Sequence, residues 1–382
     1  MTAVAPASAP FDARPRKDIC LVIGTRPEII KLAPVIRALG PRAYVIDSGQ
    51  HYDRELSAAI YERFRLPEPD LRLSCGRIAS RGHQIAAILE QLLDAWQQTR
   101  PSVVAAQGDT NTVCAAAQAA HYAGIPFVHV EAGLRSHDRD MPEEINRRVI
   151  GVLADVHCAP TTENAAHLLR EGIHPAQVFV TGNTIVEACA LSLAQRATAP
   201  AAPARTSAYI VATLHRPENT DDPEALENVL RALGELPLPV LFVPHPRTRG
   251  AIERFRLGHL LEGVTVLDPP DHTDFLGLVR DAAVVVSDSG GLQEECTVLK
   301  TPLVVVRRTT ERPEAFRAGF ARLVAPGPQI VEAVTELLRD ADLAESLRLE
   351  DSPFGDGRAT ERITAILRQI AAGNPMFAGL AS

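Results

Sequence analysis

No apolar run in this 382-residue chain approaches the ~18 residues that a membrane-spanning helix needs. The first 16 residues, MTAVAPASAPFDARPR, contain no long hydrophobic stretch, so they read as a disordered tail and not as a secretion signal. Export is therefore not expected, and the chain reads as cytoplasmic. Positive charge is in short supply: 39 Lys and Arg stand against 47 Asp and Glu, a net charge of −8 that discourages long-range attraction to nucleic acid or anionic lipid. Any anionic ligand must be held by a local basic cluster. The six cysteines (Cys20, Cys75, Cys114, Cys158, Cys189, Cys296) are scattered, with neither CxxC nor Cys/His pairs at zinc spacing, so they read as reduced, mostly buried thiols. HExxH is absent and no metal is expected. GDGRAT (355–360) lacks both the third glycine of GxGxxG and a preceding strand, and there is no GxxxxGK, which disfavours NAD and P-loop ATP chemistry.

What is present is an ordinary folded composition, 46% apolar and 23% charged. At roughly 150 residues per domain, the length suggests two α/β domains. Short apolar runs such as ICLVIG, AYVIDSG, SVVAAQG and IPFVHVE alternate with helix-length segments such as PEIIKLAPVIRALG and NTVCAAAQAAHYAG. That alternation is the pattern of a parallel sheet covered on both faces. The pattern restarts with AYIVATLH, PVLFVPH, GVTVLD, AAVVVSDSG and TPLVVV, after an Ala/Pro/Thr-rich stretch that suits an exposed linker. The expected organisation is an α/β chain of two Rossmann-like domains, 18–190 and 208–357, joined by a linker at 191–207 and enclosing a cleft. The terminal segment 358–382 carries the stripe Ile363, Ile366, Leu367 and Ile370 and is expected to pack back on the first domain.

In open parallel sheets ligands sit beyond the carboxyl ends of the strands, so polar residues directly after each strand are the candidates. In DSGGLQEE, Ser289 can cap a helix while Gly290 and Gly291 leave the backbone open, which suits a diphosphate at the helix N-terminus with Glu295 taking ribose hydroxyls; an ordinary strand-to-helix turn explains the same residues. Arg26 and Lys31 in GTRPEIIK place two cations near a helix N-terminus, against the dipole, as an anion between them would require; solvated basic side chains are the alternative. Asp109 and Glu131 end strands and Glu143 sits in a helical first turn in MPEEINRR. Each also has a plainer explanation: an N-cap for Asp109, a salt bridge to Arg135 for Glu131, and a dipole contact for Glu143. His215 and His245 end strands and are followed by Arg216 and Arg247, which suits diphosphate contacts or acid–base work, or a buried structural histidine at 245. Arg26, Lys31, His215 and Arg312 together are expected to make one positive cleft in an otherwise acidic molecule.

GTRPEIIKLAPV, GQHYD, GDTNT, HVEAGLRS, MPEEINRR, TGNTIVEA, TLHRPEN, HPRTR, DSGGLQEE and TERPEAFRAG occur in this order. Over about 18–372 the sequence resembles the non-hydrolysing UDP-N-acetylglucosamine 2-epimerase family. The resemblance implies the two-domain GT-B fold, interconversion of UDP-N-acetylglucosamine and UDP-N-acetylmannosamine without a redox cofactor, and a homodimer. It implies that Asp109, Glu131 and Glu143 supply carboxylates, with His215 near the diphosphate. It further implies that Arg26, Lys31, Ser289, Gly290, Gly291 and Arg312 contact phosphate or sugar, Glu295 the ribose and Phe275 the uracil region; Arg135 and His245 are further substrate-binding candidates. Removing UDP from carbon 1 together with the carbon 2 proton, then adding it back, needs a held diphosphate and acid/base groups on both ring faces.

Two departures stand out. Gln50 is present, but Asp53 replaces the glutamine that the resemblance expects in a second, regulatory substrate site, which argues against activation by substrate. SHDRDM between HVEAGLR and PEE is short and lacks the expected aromatic, which opens the way to a modified substrate such as a UDP-diacetamido-uronate. The rival readings are a hydrolysing relative that releases UDP and free N-acetylmannosamine, a glycosyltransferase of the same architecture, and a UDP-sugar sensor with no use for the acids.

Overall fold

The computed structural model describes residues 17–50, 54–75, 78, 80–196 and 208–374. The expected N-terminal tail, Asp53 and the later part of the expected linker lie outside these residues.

Val, Ile, Leu and Ala dominate short runs that pair as parallel strands, the central ones buried on both faces and the edge ones partly exposed. The first set is β1 Ile19–Ile23, β2 Ala43–Asp47, β3 Leu71–Arg72, β4 Val103–Gln107, β5 Phe127–Val130, β6 Val156–Ala159 and β7 Val178–Val180. It forms one sheet in the order β3-β2-β1-β4-β5-β6-β7, every pairing parallel. The second set is β8 Ile210–Thr213, β9 Val240–Phe242, β10 Thr265–Val266, β11 Val284–Ser287, β12 Leu303–Val306 and β13 Ala321–Val324, in the order β10-β9-β8-β11-β12-β13, again all parallel. Two Rossmann-like sheets in one chain make the GT-B arrangement expected from the sequence.

Each sheet reverses its winding once, between β1 and β4 and between β8 and β11. Adjacent connections leave in opposite directions at these points and open a crevice at the strand ends. Gly24–Arg26, Gly108–Thr110, Leu214–Arg216 and Asp288–Ser289 are the turns that line the two crevices.

Helix Ile185–Arg196 continues past the boundary at which a linker was expected, because Leu191 and Leu193 pack into the apolar cluster that joins the two halves. That cluster brings Ile30, Ala33, Ile185, Ala188 and Cys189 against Val211, Leu276, Leu292 and Cys296. Helix Ala359–Ala371 follows the second sheet, yet its Ile363, Ile366, Leu367 and Ile370 are buried in the core beneath β1 and helix Arg26–Leu39. All six cysteines are buried and unbridged.

Candidate functional site

After β1 the chain turns at Gly24 and enters helix Arg26–Leu39. A Cβ on Gly24 would lie 2.1 Å from Thr112 Oγ1 and 2.2 Å from Ser48 Oγ, so only glycine lets these turns meet. The amides that lead into the helix are already taken: Gly24 N and Thr25 N donate to Glu28 Oε2 at 2.6 and 3.1 Å, and Thr110 Oγ1 donates to Glu28 Oε1 at 2.6 Å. Burial pushes the Glu28 carboxyl up to about 7 despite these donors. Arg26, half-buried, has no side-chain partner among the described residues.

Glu131 follows β5 with φ +65°, a left-handed conformation that a non-glycine residue holds at a cost of order 1–3 kcal/mol. Its buried carboxylate receives Lys31 Nζ at 2.5 Å and Asn183 Nδ2 at 3.1 Å. The same ammonium reaches Glu294 Oε2 at 2.6 Å, and Arg312 bridges the two acids, Nε to Glu294 Oε1 at 2.6 Å and Nη2 to Glu131 Oε1 at 3.5 Å. Lys31 and Glu131 come from the first sheet's side and Glu294 and Arg312 from the second, so a buried quartet of two cations and two carboxylates closes across the cleft. Desolvation would lower both cations, but their carboxylate partners outweigh it and hold each pKa above its ordinary value. Between the acids the proton favours Glu131, which burial and the Glu294 charge push up, whereas Arg312 and Lys31 hold Glu294 down against burial. This replaces the expected positive cleft, because Lys31 and Arg312 are neutralised where they stand. Arg135 takes no part in it: its buried guanidinium is bound by Glu171 at 2.8 and 2.6 Å, so the expected alternative of a Glu131–Arg135 bridge does not form.

Asp109 follows Gly108 at the end of β4. The helix cap is its neighbour Thr110, whose hydroxyl accepts from Val113 N, so capping does not account for Asp109. Its carboxylate is paired with Arg147 Nη1 at 2.6 Å and its carbonyl accepts from Asn146 Nδ2 at 2.9 Å. Buried His129 bonds the Gly108 carbonyl at 2.8 Å, which requires the proton on Nε2, and burial lowers this imidazole to about 4. Helix Pro142–Leu153 supplies Asn146 and Arg147 and buries Glu144 against Ser136 and Arg147. Glu143, one position earlier, is half-buried with no ion pair among the described residues.

On the facing side, Ser289 caps helix Gly290–Leu299, its hydroxyl accepting from Leu292 N at 3.4 Å. Gly290 is needed for packing: a Cβ there would lie 2.7 Å from Arg312 Nη1 and 3.0 Å from Glu311 Oε1, whereas at Gly291 the nearest atom is Ser289 Oγ at 3.8 Å. Glu311 pairs with Arg312 and, at 2.9 Å, with Arg307, which keep it far below the usual carboxylate range despite burial. His215 Nδ1 lies 2.9 Å from buried Asp288, and the His245 ring stands 6.1 Å from that of His215. His245 is exposed and caps helix Pro246–Arg254, accepting from Arg247 N at 3.3 Å. Glu295 receives His272 Nε2 at 3.1 Å, which fixes it beside helix His272–Arg280, the helix that carries half-buried Phe275.

The structure thus gathers Lys31, Glu131 and Arg312 into one cluster, sets Asp109 on the same edge, and ranges Ser289, Gly290, Gly291 and His215 opposite. Sequence reasoning missed Glu294, Asp288, Arg147, Asn183 and Glu311. All five lie inside the motif strings, but only their partners distinguish them from the residues beside them. Chemically, carboxylates face a helix N-terminus whose amides and nearby cations favour an anion, an arrangement that can move a proton while a phosphate leaves.

The family model described as UDP-N-acetylglucosamine 2-epimerase matches residues 39–368. A UDP-N-acetylglucosamine 2-epimerase of Methanocaldococcus jannaschii is 37% identical, over 91% of this chain and 98% of its own. A Pseudomonas aeruginosa UDP-2,3-diacetamido-2,3-dideoxy-D-glucuronate 2-epimerase is 35% identical, over 92% and 99%. Among solved structures, a UDP-GlcNAc 2-epimerase from Neisseria meningitidis bound to UDP-GlcNAc superposes with a TM-score of 0.84 at 33% identity, covering 92% of this chain and 99% of the other. With the family model matching residues 39–368, relatives 35–37% identical over nearly the full length and the same fold, the chain belongs to the UDP-N-acetylglucosamine 2-epimerase family.

Proposed function

We propose that the protein is an isomerase that interconverts UDP-N-acetylglucosamine and UDP-N-acetylmannosamine by eliminating UDP and adding it back. The carrying observation is the juxtaposition, across one cleft, of Glu131 and Asp109 with the helix N-terminus at Ser289–Gly291. In the forward step a carboxylate takes the carbon 2 proton, the carbon 1–oxygen bond breaks with its electrons going to the diphosphate, and a carbon 1–carbon 2 double bond remains. UDP then re-adds at carbon 1 while carbon 2 is protonated from the opposite face. Glu131 is assigned to acid–base work because burial and the Glu294 charge raise its proton affinity while Lys31, Asn183 and Arg312 hold its carboxylate in place. Asp109 supports the opposite ring face; Glu143, in the first turn of the helix that supplies Arg147, is the third proposed acid. Arg26, unpartnered among the described residues, is the cation available to the diphosphate, with Ser289, Gly290, Gly291 and His215 around it; Glu295 holds the ribose and Phe275 lies by the uracil.

The test is to incubate the protein with UDP-N-acetylglucosamine in deuterium oxide and follow carbon 2 by NMR. Deuterium at carbon 2 with UDP-N-acetylmannosamine appearing is the expected result. Free sugar plus UDP would assign the hydrolysing outcome. An inert spectrum would overturn the reading for this substrate and turn attention to a diacetamido-uronate, the substrate class of the P. aeruginosa relative. Glu131→Gln is expected to keep UDP binding and lose exchange.

A homodimer working in the cytoplasm completes the reading. Helix Pro142–Leu153 leaves Ile145, Val149 and Val152 exposed beside Tyr122, an apolar face suited to a second copy. Light scattering at twice the 41.2 kDa chain mass is the expected observation. Among the described residues no helix is long and apolar enough to cross a membrane.

A further inference from the structure

Arg147 has no part in the chemistry described so far, yet it is buried and its guanidinium touches three segments, each of which carries one of the proposed acids. Nη1 donates to Asp109 Oδ2 at 2.6 Å, in the turn after β4. Nη2 donates to Ser136 Oγ at 3.3 Å, in the loop that follows Glu131. Nε donates to Glu144 Oε2 at 3.0 Å, next to Glu143 in the first turn of helix Pro142–Leu153. Arg147 stands three residues after Glu144 and four after Glu143, spacings at which either acid is a helical neighbour. It pairs with Glu144, whose Oε2 also accepts from Ser136 N at 2.9 Å, and Glu143 keeps no ion pair among the described residues. Burial works against the cation, but the charges of Asp109, Glu311 and Glu144 outweigh it and hold its pKa above the ordinary value. One edge of the guanidinium is occupied by Glu144, since Nη2 lies 2.9 Å from the oxygen that Nε reaches, and only Nη1 is left for Asp109. A carboxylate gripped by two prongs has both oxygens occupied. Asp109 is gripped by one: Oδ1 has no partner among the described residues, and the side chain is 28% exposed at the crevice.

We propose that Arg147 is a positioning residue that fixes one oxygen of Asp109 and leaves the other turned toward the sugar. The inference rests on the epimerase reading and adds a residue to it. On the ring face served by Asp109, the proton passes between carbon 2 and Oδ1. The electrons of that carbon–hydrogen bond enter or leave the carbon 1–carbon 2 double bond, and the carbon 1–oxygen pair moves onto the diphosphate or back from it. Arg147 gives up no proton, because a guanidinium stays charged throughout. With Glu144 as its anchor, the guanidinium neither swings over to neutralise Glu143 nor takes both oxygens of Asp109.

Arg147→Lys keeps the charge but loses the planar fork that holds Glu144 with one edge and aims a separate donor at Asp109. In the full chain kcat for carbon 2 exchange is expected to fall about 100-fold, while KM and the UDP dissociation constant stay within about threefold. In an Asp109→Asn background the same substitution is expected to change kcat less than about threefold. An equal loss in that background, a collapse of UDP affinity, or an unchanged kcat in the single variant would overturn the proposal. Should Asp109→Asn lack measurable exchange, the crystal structure of Arg147→Lys decides: an Asp109 carboxylate rotated on an unmoved backbone is expected, and one that keeps its wild-type orientation refutes the assignment. Should Arg147→Lys fail to fold, Glu144→Gln takes its place, loosening the anchor without touching Asp109. Its kcat is expected to fall about tenfold at unchanged KM, the size of one lost hydrogen bond, and an unchanged kcat would refute the assignment. Wild-type protein lacking exchange would overturn the epimerase reading itself, while the orientation of Asp109 in the variant crystals still reports on Arg147.

Discussion

Glu28 shows how a single buried carboxyl can be read in pH. It is enclosed by two backbone amides and the Thr110 hydroxyl, and its pKa rises from the ordinary 4.5 to about 7 because desolvation exceeds what those donors return. Between these values the folded chain binds the proton and the unfolded chain does not, so this group's contribution to stability declines as pH rises and levels off above about 7. Glu28→Gln carries no titrating proton, and its amide can accept from Gly24 and donate to Thr110. Denaturant unfolding at pH 5 and pH 8 is therefore expected to show the stability difference moving in the variant's favour at the higher pH, by at most about 3 kcal/mol. A pH-independent difference would mean that Glu28 stays ionised throughout. At this scale the sequence was legible in residue type and position. It marked Glu131 and Lys31, but Glu294 and Glu295 are neighbours about 100° apart on one helix. Only the arrival of Lys31 and Arg312 from other elements decides that Glu294 joins the quartet while Glu295 meets His272. Asp288 was hidden for a similar reason, since the groups that donate to it, His215 N, Arg216 N and Asn219 Nδ2, come from a segment some seventy residues earlier.

Among the elements, the strands and helices around the site were the readable part, because their apolar runs and caps are local signals: β1, β4, β8 and β11 fall where the patterns end, and Ser289 caps as expected. The two glycines after that cap were read alike, as openings for a ligand, and the structure separates them. At Gly290 the missing side chain makes room for the Arg312–Glu311 pair; at Gly291 the space is open. Gly290→Ala is expected to displace Arg312 from Glu294 and Glu131 and to lower exchange activity at least tenfold, the loss of a charge-assisted contact of about 1.5 kcal/mol or more. Gly291→Ala is expected to leave stability unchanged or raise it by up to about 1 kcal/mol through helix propensity, while weakening UDP if the diphosphate approaches that backbone. Thermal unfolding and UDP calorimetry on the pair separate the roles, and equal stabilities with equal activities would remove the packing argument for Gly290.

For the molecule as a whole, the decisive feature is that the charge quartet is shared between the halves, which no local pattern announces. Lys31 meets Glu294 and Arg312 meets Glu131 across the cleft, both interactions buried, while Arg63–Asp271 and Arg317–Glu163 join the halves nearer the surface. The exposed pairs are screened by salt and hold little; the buried ones are not, and removing one partner strands a charge in a dry site. Glu294→Gln leaves Lys31 with Glu131 and Arg312 with Glu131 and Glu311, the latter already shared with Arg307, a more positive cluster that gains by opening to water. The expected outcome in small-angle scattering is a larger radius of gyration for ligand-free Glu294→Gln than for wild type, at low and high salt alike, with UDP drawing the variant closed again by supplying the missing negative charge. Arg317→Ala at the rim is expected to leave the radius unchanged. Identical scattering from wild type and Glu294→Gln would mean that the apolar cluster around helix Ile185–Arg196 alone sets the closure. In that case the quartet serves only to hold Glu131 in its strained, proton-binding state, and the variant's loss would appear in exchange rate without any change of shape.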